Sequence, residues 1–577
     1  MHRLLSSVSV GAVVASISGV TDNPVAGAGE RPVSSARILA ALMVPLFMAL
    51  LALSVINVAL PVIGTALQSD TRGLQWVVSG YALAFGLLLV PSGRLGDATG
   101  RKRLFLAGVA VFVAGAVIAG LSQSIEMLNA ARLIQGVGSG MLNPQTFGLI
   151  QKYFQGAGRA RAFATMATTV SVATASGPLV GGLLIEALGD NLGWRAMFLL
   201  NVPLGVLALM LGRWWLPDDR RLARPAGDPP ARDGDAGERA TAPSRDDDAD
   251  ADEPATALSR DDDADEPAVA LSRARAAEIT RVDRERLSAA AGGRGAATRR
   301  RSRLDLDPVG IVLLGVAVLS LMLPFLARGT NPAYWALVPV GLIVMAVFVW
   351  WERRYERIGR EPLVNPGIFR DAAFRNGMVI VSVYFVGGTS LWIVMPVYLQ
   401  FHLGYSPIDS AYVSLPASIC AAVSAQVAGR FVLQAGRRMV IGGFTLTITA
   451  LLTFIVLAGV VESGAVNYLV FMVPAALAGT AQGMTISPNQ TLTLRAVNPE
   501  FGGVAGSIIS LGQRMGTAVG TAMVPGVLFW VVASTGDWVL AFRAALGLIA
   551  VLAGAALAFS VMDRRREIRC ARSSTAQ

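Results

Sequence analysis

Few side chains in this sequence can do chemistry, and most of them lie inside or beside long apolar runs. Gly93-Arg94-Leu95-Gly96-Asp97-Ala98-Thr99-Gly100-Arg101-Lys102-Arg103 places one carboxylate among basic residues between two such runs. Glycines at 93, 96 and 100 allow a tight turn and close backbone approach, and Asp97 is suited to a helix N-terminus and to pairing with an arginine. A cluster of this kind latches one conformation by breaking and reforming its contacts. Arg132, in Arg132-Leu133-Ile134-Gln135-Gly136-Val137-Gly138, and Arg514, in Gln513-Arg514-Met515-Gly516, are charges inside apolar runs. Such charges are costly in lipid and are expected to face a bundle interior or a wet cavity. Gly177-Pro178-Leu179-Val180-Gly181-Gly182 combines small residues for close helix packing with a proline kink.

Proton coupling needs a carboxylate whose proton affinity changes with its surroundings. Glu126, Glu186 and Asp409 stand near the ends of apolar runs, where solvated carboxylates are ordinary. Glu186, which follows the proline kink, is the best coupling candidate beside Arg132 and Arg514. His2 and His402 are isolated, and Cys420 and Cys570 form no disulfide or metal-ligand pattern. With no nucleophile–base pair, metal cluster or phosphate loop, the expectation is no enzyme, no metal and no cofactor.

The elements that must hold these residues follow from composition. The chain has 577 residues, 53% hydrophobic and 15% charged, with a mean hydropathy of +0.55. Lipid is the solvent such a chain requires. Runs of about 20 apolar residues, enough to cross about 30 Å of hydrocarbon, recur along it. They predict an all-α integral membrane protein: a six-helix bundle over 38–216, two accessory helices over 308–352 and a second six-helix bundle over 353–562, fourteen spans in all. Residues 1–37 are expected to be a disordered leader or the product of an early start codon. Residues 563–577 are expected to form a basic tail. The segment 217–307, rich in Asp, Arg, Ala and Pro, is expected to be a disordered linker. Arg-rich loops alternate with nearly uncharged ones, which predicts a bacterial inner-membrane protein with both termini and the linker in the cytoplasm. The excess of 49 Lys+Arg over 39 Asp+Glu is then topological charge, with no nucleic acid as partner.

The two halves echo each other. Gly138 to Thr146 is similar to Gln482 to Thr491, and Gly93-Arg94 through Gly100-Arg101-Lys102 is similar to Gly429-Arg430 through Gly436-Arg437-Arg438. Two repeated bundles with a cavity between them is a transporter design. Polar and aromatic residues expected to line that cavity include Asn57, Tyr81, Gln135, Asn143, Trp392, Gln482 and Asn489.

The 93–103 motif, Arg132 with Gln135-Gly136, the Gly177-Pro178 segment and Trp194-Arg195 to Gly205 together resemble the major facilitator superfamily, in its fourteen-helix drug:proton antiporter branch. The resemblance implies export of small amphipathic or drug-like molecules by alternating access, with the proton and the bilayer as further partners. Ala52, in Leu51-Ala52-Leu53-Ser54-Val55-Ile56-Asn57, stands where that branch carries Asp. This departure keeps open a facilitator or importer of a polar metabolite, and a membrane sensor using the 217–305 loop as its output segment is the alternative from another class.

Overall fold

In hydrocarbon a chain segment must satisfy its own backbone, so each apolar run closes into a helix. The computed structural model describes residues 24–25, 33–217, 307–326, 332–495 and 497–575. A two-residue antiparallel pair, β1 (Pro24–Val25) with β2 (Val33–Ser34), precedes the helices within the segment expected as leader. The first bundle comprises α1 (Ser35–Ala66), α2 (Thr71–Thr99), α3 (Arg101–Gly120), α4 (Ile125–Tyr153), α5 (Gly156–Leu199) and α6 (Asn201–Trp215). The accessory hairpin is α7 (Pro308–Leu326) and α8 (Leu337–Arg357). The second bundle comprises α9 (Ala372–Gly388), α10 (Leu391–Val397), α11 (Pro407–Ala435), α12 (Arg437–Glu462), α13 (Met472–Arg495), α14 (Gly502–Thr535) and α15 (Trp538–Thr575).

Twelve helical stretches are long and apolar enough to span a membrane. One of them, Gly156–Trp215, has 60 residues, which at 1.5 Å per residue is about 90 Å and far exceeds one bilayer. It breaks at Gly189, where φ is 75° and ψ 171°, and Gly193 then packs on Leu184 and Ile185, so the chain doubles back. That stretch is two passes. α4 adds another: its polar residues, Arg132 among them, lower its hydropathy, yet it packs along α2 and α3 inside the bundle. Counted this way, the described helices offer fourteen candidate passes, with α9 and α10 sharing one.

The end carrying Arg101, Lys102, Arg103, Lys152 and Arg437 is termed the basic end, and the other the far end. Between the bundles, α2 packs on α14 and α5 packs on α11. The internal repeat relates α2 to α11 and α5 to α14, so these two seams are images of one another. Around the basic end one apolar core joins both bundles, with Phe147, Leu149 and Phe163 beside Phe374, Leu494 and Ile509. Toward the far end the cores separate. Val55, Ile63, Trp194 and Phe198 belong to one, and Val394, Phe454, Phe471 and Phe542 to the other.

Three boundaries differ from expectation. Ser35 already opens α1, and α15 runs on through the expected tail to Thr575. Of the expected linker, residues 218–306 lie outside the described residues, while Asp307 is buried at the start of α7.

Candidate functional site

Gly100 ends α2 and begins α3 at φ 110°, a backbone that a side chain would strain. The sharp turn brings Arg101 back over α2. Its Nε donates to Asp97 Oδ1 at 2.8 Å, Nη1 to the Gly148 carbonyl of α4 at 2.6 Å, and Nη2 across the seam to the Pro499 carbonyl at 2.9 Å. Asp97 Oδ2 in turn accepts the Val504 N–H at 3.1 Å. A carboxylate thus sits at the N-terminus of α14, where free amides and the helix dipole favour negative charge. Gln151 Nε2 donates to the Leu494 carbonyl at 3.2 Å, and Ser510 Oγ to Asn143 Oδ1 at 3.1 Å, on the same seam. Lys102 donates to the Arg213 carbonyl of the first bundle at 3.1 Å.

On the image seam, Thr168 Oγ1 donates to the Ala422 carbonyl at 3.1 Å and accepts from Gln426 Nε2 at 3.0 Å. Gly93 and Gly429, which the repeat equates, do the same work on the two seams. A methyl at Gly93 would meet Ser507 and the Gly503 backbone, and one at Gly429 would meet Ala164 and the Ala160 carbonyl. The repeat breaks at the charge. Leu433 takes the place of Asp97, and Arg437 turns inward instead, 2.7 Å from Asp563 Oδ2 and donating to Asn489 Oδ1 at 2.8 Å. Asn489 therefore belongs to this network inside the second bundle, and not to a cavity lining as expected from sequence.

Since these contacts draw the bundles together at the basic end, Gly429→Leu is expected to oppose that closure. Overpacking costs about 1–3 kcal/mol, about a 5- to 150-fold shift between states. Transport by membranes containing equal amounts of inserted protein should fall accordingly, with Gly182→Ala, whose added methyl meets nothing, as the neutral control.

Deeper in the first bundle, Arg132 is fully buried. Nε donates to the Val77 carbonyl at 2.9 Å, Nη1 to Gln135 Oε1 at 2.9 Å, and the guanidinium lies 4.3 Å from the Tyr81 ring centre. Its Nη2 has no hydrogen-bond partner, and the ion pairs among the described residues do not include it. Tyr81 reaches Ser139 Oγ at 2.7 Å. Arg514 comes from α14 to lie 4.6 Å over the Phe85 ring. So Tyr81, Arg132, Gln135 and Arg514 gather around α2 and α4, and Ser139 and Phe85 join them although sequence reading passed over both.

Gly177 and Gly181 bring α5 onto α1, against Ser54 and Val55, while Gly182 faces open space and Pro178 is exposed. Ser54 Oγ closes the contact on the Thr174 carbonyl at 2.7 Å. Ala52 is buried nearby in α1, and the side chain of Asn57 lies outside the described residues. Glu186 is exposed near the Gly189 turn and does not join Arg132. Trp392 packs into the far-end core of the second bundle, and Gln482 is half-buried on α13. Arg195 donates to the Gly120 and Ser122 carbonyls at 3.2 and 2.6 Å, which closes the end of α3.

The geometry shows two repeated bundles that share one apolar core and a latch of hydrogen bonds at the basic end and have separate apolar cores toward the far end. The sequence profile of the Major Facilitator Superfamily matches residues 42–273 and 309–521. The chain belongs to this superfamily. Among similar proteins are a probable actinorhodin transporter of Streptomyces coelicolor, 27% identical over 87% of this chain and 74% of the relative. The multidrug resistance protein Stp of Mycobacterium tuberculosis is 25% identical over 84% and 74%, and a puromycin resistance protein of Streptomyces alboniger 27% over 82% and 77%. The crystal structure of the human organic anion transporter MFSD10 shares the fold, with a TM-score of 0.55 at 13% identity over 91% of this chain and 99% of the other.

Proposed function

We propose that this chain is a secondary active exporter of small amphipathic or drug-like compounds, working by alternating access, with the basic end in the cytoplasm. The observation that carries this reading is the latch. The bundles share one core and a set of charged and backbone hydrogen bonds at the basic end, whereas their cores part toward the far end. That is the arrangement expected of one of the two states an alternating-access carrier must visit, the one closed toward the cytoplasm. The transporter and resistance names of the relatives, each matched over about three quarters of its length, support export of drug-like cargo.

Coupling to protons is the finer part of the proposal. Ala52 offers no carboxylate, and the exposure of Glu186 favours a solvated group, so Glu186→Gln is expected to change transport by no more than about twofold, as for surface substitutions generally. Everted vesicles loaded with the full chain and given a fluorescent amphipathic cation test the whole reading. Uptake that stops when a protonophore collapses the gradient supports a proton-coupled exporter. Uptake indifferent to the gradient supports the facilitator reading that Ala52 leaves open. Absence of uptake for amphipathic cations, anions and neutral probes alike would sink the proposal. Loss of gradient dependence in Glu186→Gln alone would return the coupling role to Glu186.

A further inference from the structure

Two carboxylates meet at the root of the accessory hairpin, outside the latch and away from Arg132. Asp307 and Glu352 are 1% and 2% exposed. Asp307 caps α7, Oδ1 accepting the Gly310 N–H at 3.0 Å, and the Trp351 indole Nε1 lies 3.0 and 3.1 Å from its two oxygens. Glu352 Oε2 accepts the Val364 N–H at 3.2 Å. Its other oxygen, Oε1, has no hydrogen-bond partner and converges with Asp307 Oδ2 on the same point: a methyl at Gly310 would lie 2.7 Å from Glu352 Oε1 and collide with Asp307 Oδ2.

No cation balances the pair among the described residues. α7 carries no titratable side chain between 308 and 326. On α8, Tyr355 is buried beside Trp351, while Arg353, Arg354, Glu356 and Arg357 are exposed. Arg360 lies over the Tyr355 ring, and Glu361 pairs with Arg94 of α2. The ion pairs among the described residues leave out both Asp307 and Glu352. Two unpaired negative charges in a dry pocket are prohibitively costly. Asp307 already accepts hydrogen bonds at both oxygens, as an ionised carboxylate does, and Glu352 Oε1 is the atom left with an unfilled role.

We propose that Asp307 and Glu352 form a proton-binding site, with one proton on Glu352 Oε1 donated to Asp307 Oδ2. Loss of that proton sets two like charges against each other at the point where the Val364 amide holds Glu352. The segment 358–366 that carries Val364 also carries Glu361, whose partner Arg94 stands three residues from Asp97. The site therefore ties the hairpin root, and through it the latch helix, to the pH at the basic end.

Infrared spectra of the purified full chain in lipid test this directly. Near neutral pH the wild type should show the carbonyl stretch of a protonated carboxylic acid that Glu352→Gln lacks and that fades as pH rises. Asp307→Asn, which lets an amide donate to an ionised Glu352, should lose the same band by a different route and serves if Glu352→Gln folds poorly. The folded site holds a proton that the unfolded chain releases, so the unfolding midpoint of the wild type should fall as pH rises above the ordinary glutamate value of about 4.3, and that slope should flatten in Glu352→Gln. Identical spectra and slopes for wild type and both variants would overturn the proposal. A wild-type profile that moves with sodium concentration would overturn it in favour of a metal cation.

Discussion

Asp97→Asn is expected to shift the protein away from the closed basic end by about 10- to 150-fold, because a hydrogen bond to a charged group contributes about 1.5–3 kcal/mol and two such bonds meet on this carboxylate. The substitution keeps the shape of the side chain, so packing against Gly503 is preserved. What it removes is the charge that faces the α14 N-terminus and orients Arg101 toward Gly148 and Pro499. Thiol labelling of a cysteine at Asn143, in a background with Cys420 and Cys570 replaced, reports opening of that seam. Faster labelling in Asp97→Asn with slower transport is the expected result. Unchanged labelling would show that the shared core at the basic end holds the state without the charge.

Arg132→Ala is expected to lower transport by about 100-fold or more, equivalent to about 2.7 kcal/mol of transition-state free energy, while the protein still inserts. The guanidinium ties α4 to the Val77 carbonyl of α2 and fixes Gln135, yet keeps one nitrogen unpartnered. A buried charge left incompletely satisfied is unfavourable unless another state or a cargo completes it. Arg132→Lys separates the two contributions, since lysine keeps the charge and loses the planar fork. Near-normal transport in Arg132→Lys would assign the role to charge alone, and wild-type transport in Arg132→Ala would remove the residue from the cycle.

The fourteen passes, the two halves and the 93–103 turn are legible in the sequence because each rests on local information: run length, glycine placement and an internal echo. The burial of Arg132 is legible for the same reason, since a charge in an apolar run has few places to go. The partners of these residues are not. Val504 and Pro499 lie some four hundred positions from Asp97 and Arg101, and their roles are backbone ones that no side-chain pattern marks. Asn489 is expected in the cavity as a polar residue within an apolar run, but its place in the run does not fix the face it presents. Asp307, Glu352 and Asp563 stand at ends of apolar runs, and no spacing in the sequence marks them. Burial reaches them only through segments that fold back over those ends, Val364 over Glu352 and Arg437 over Asp563.

The accessory hairpin has a further consequence. α7 runs along α2 from Gln75 to Leu87: Gly86 packs on Met322, Gly315 faces Leu87, and Gln75 and Ser79 both donate to the Leu326 carbonyl, at 2.6 and 3.1 Å. It also touches α14. A two-fold bundle pair has two flanks through which its interior can exchange with the lipid leaflets. Here the α2–α14 flank is walled by α7 with α8 behind it, whereas no described helix covers the α5–α11 flank. A cargo dissolved in the membrane would then meet one lateral doorway instead of two, and the internal symmetry of the fold would not extend to its traffic with lipid.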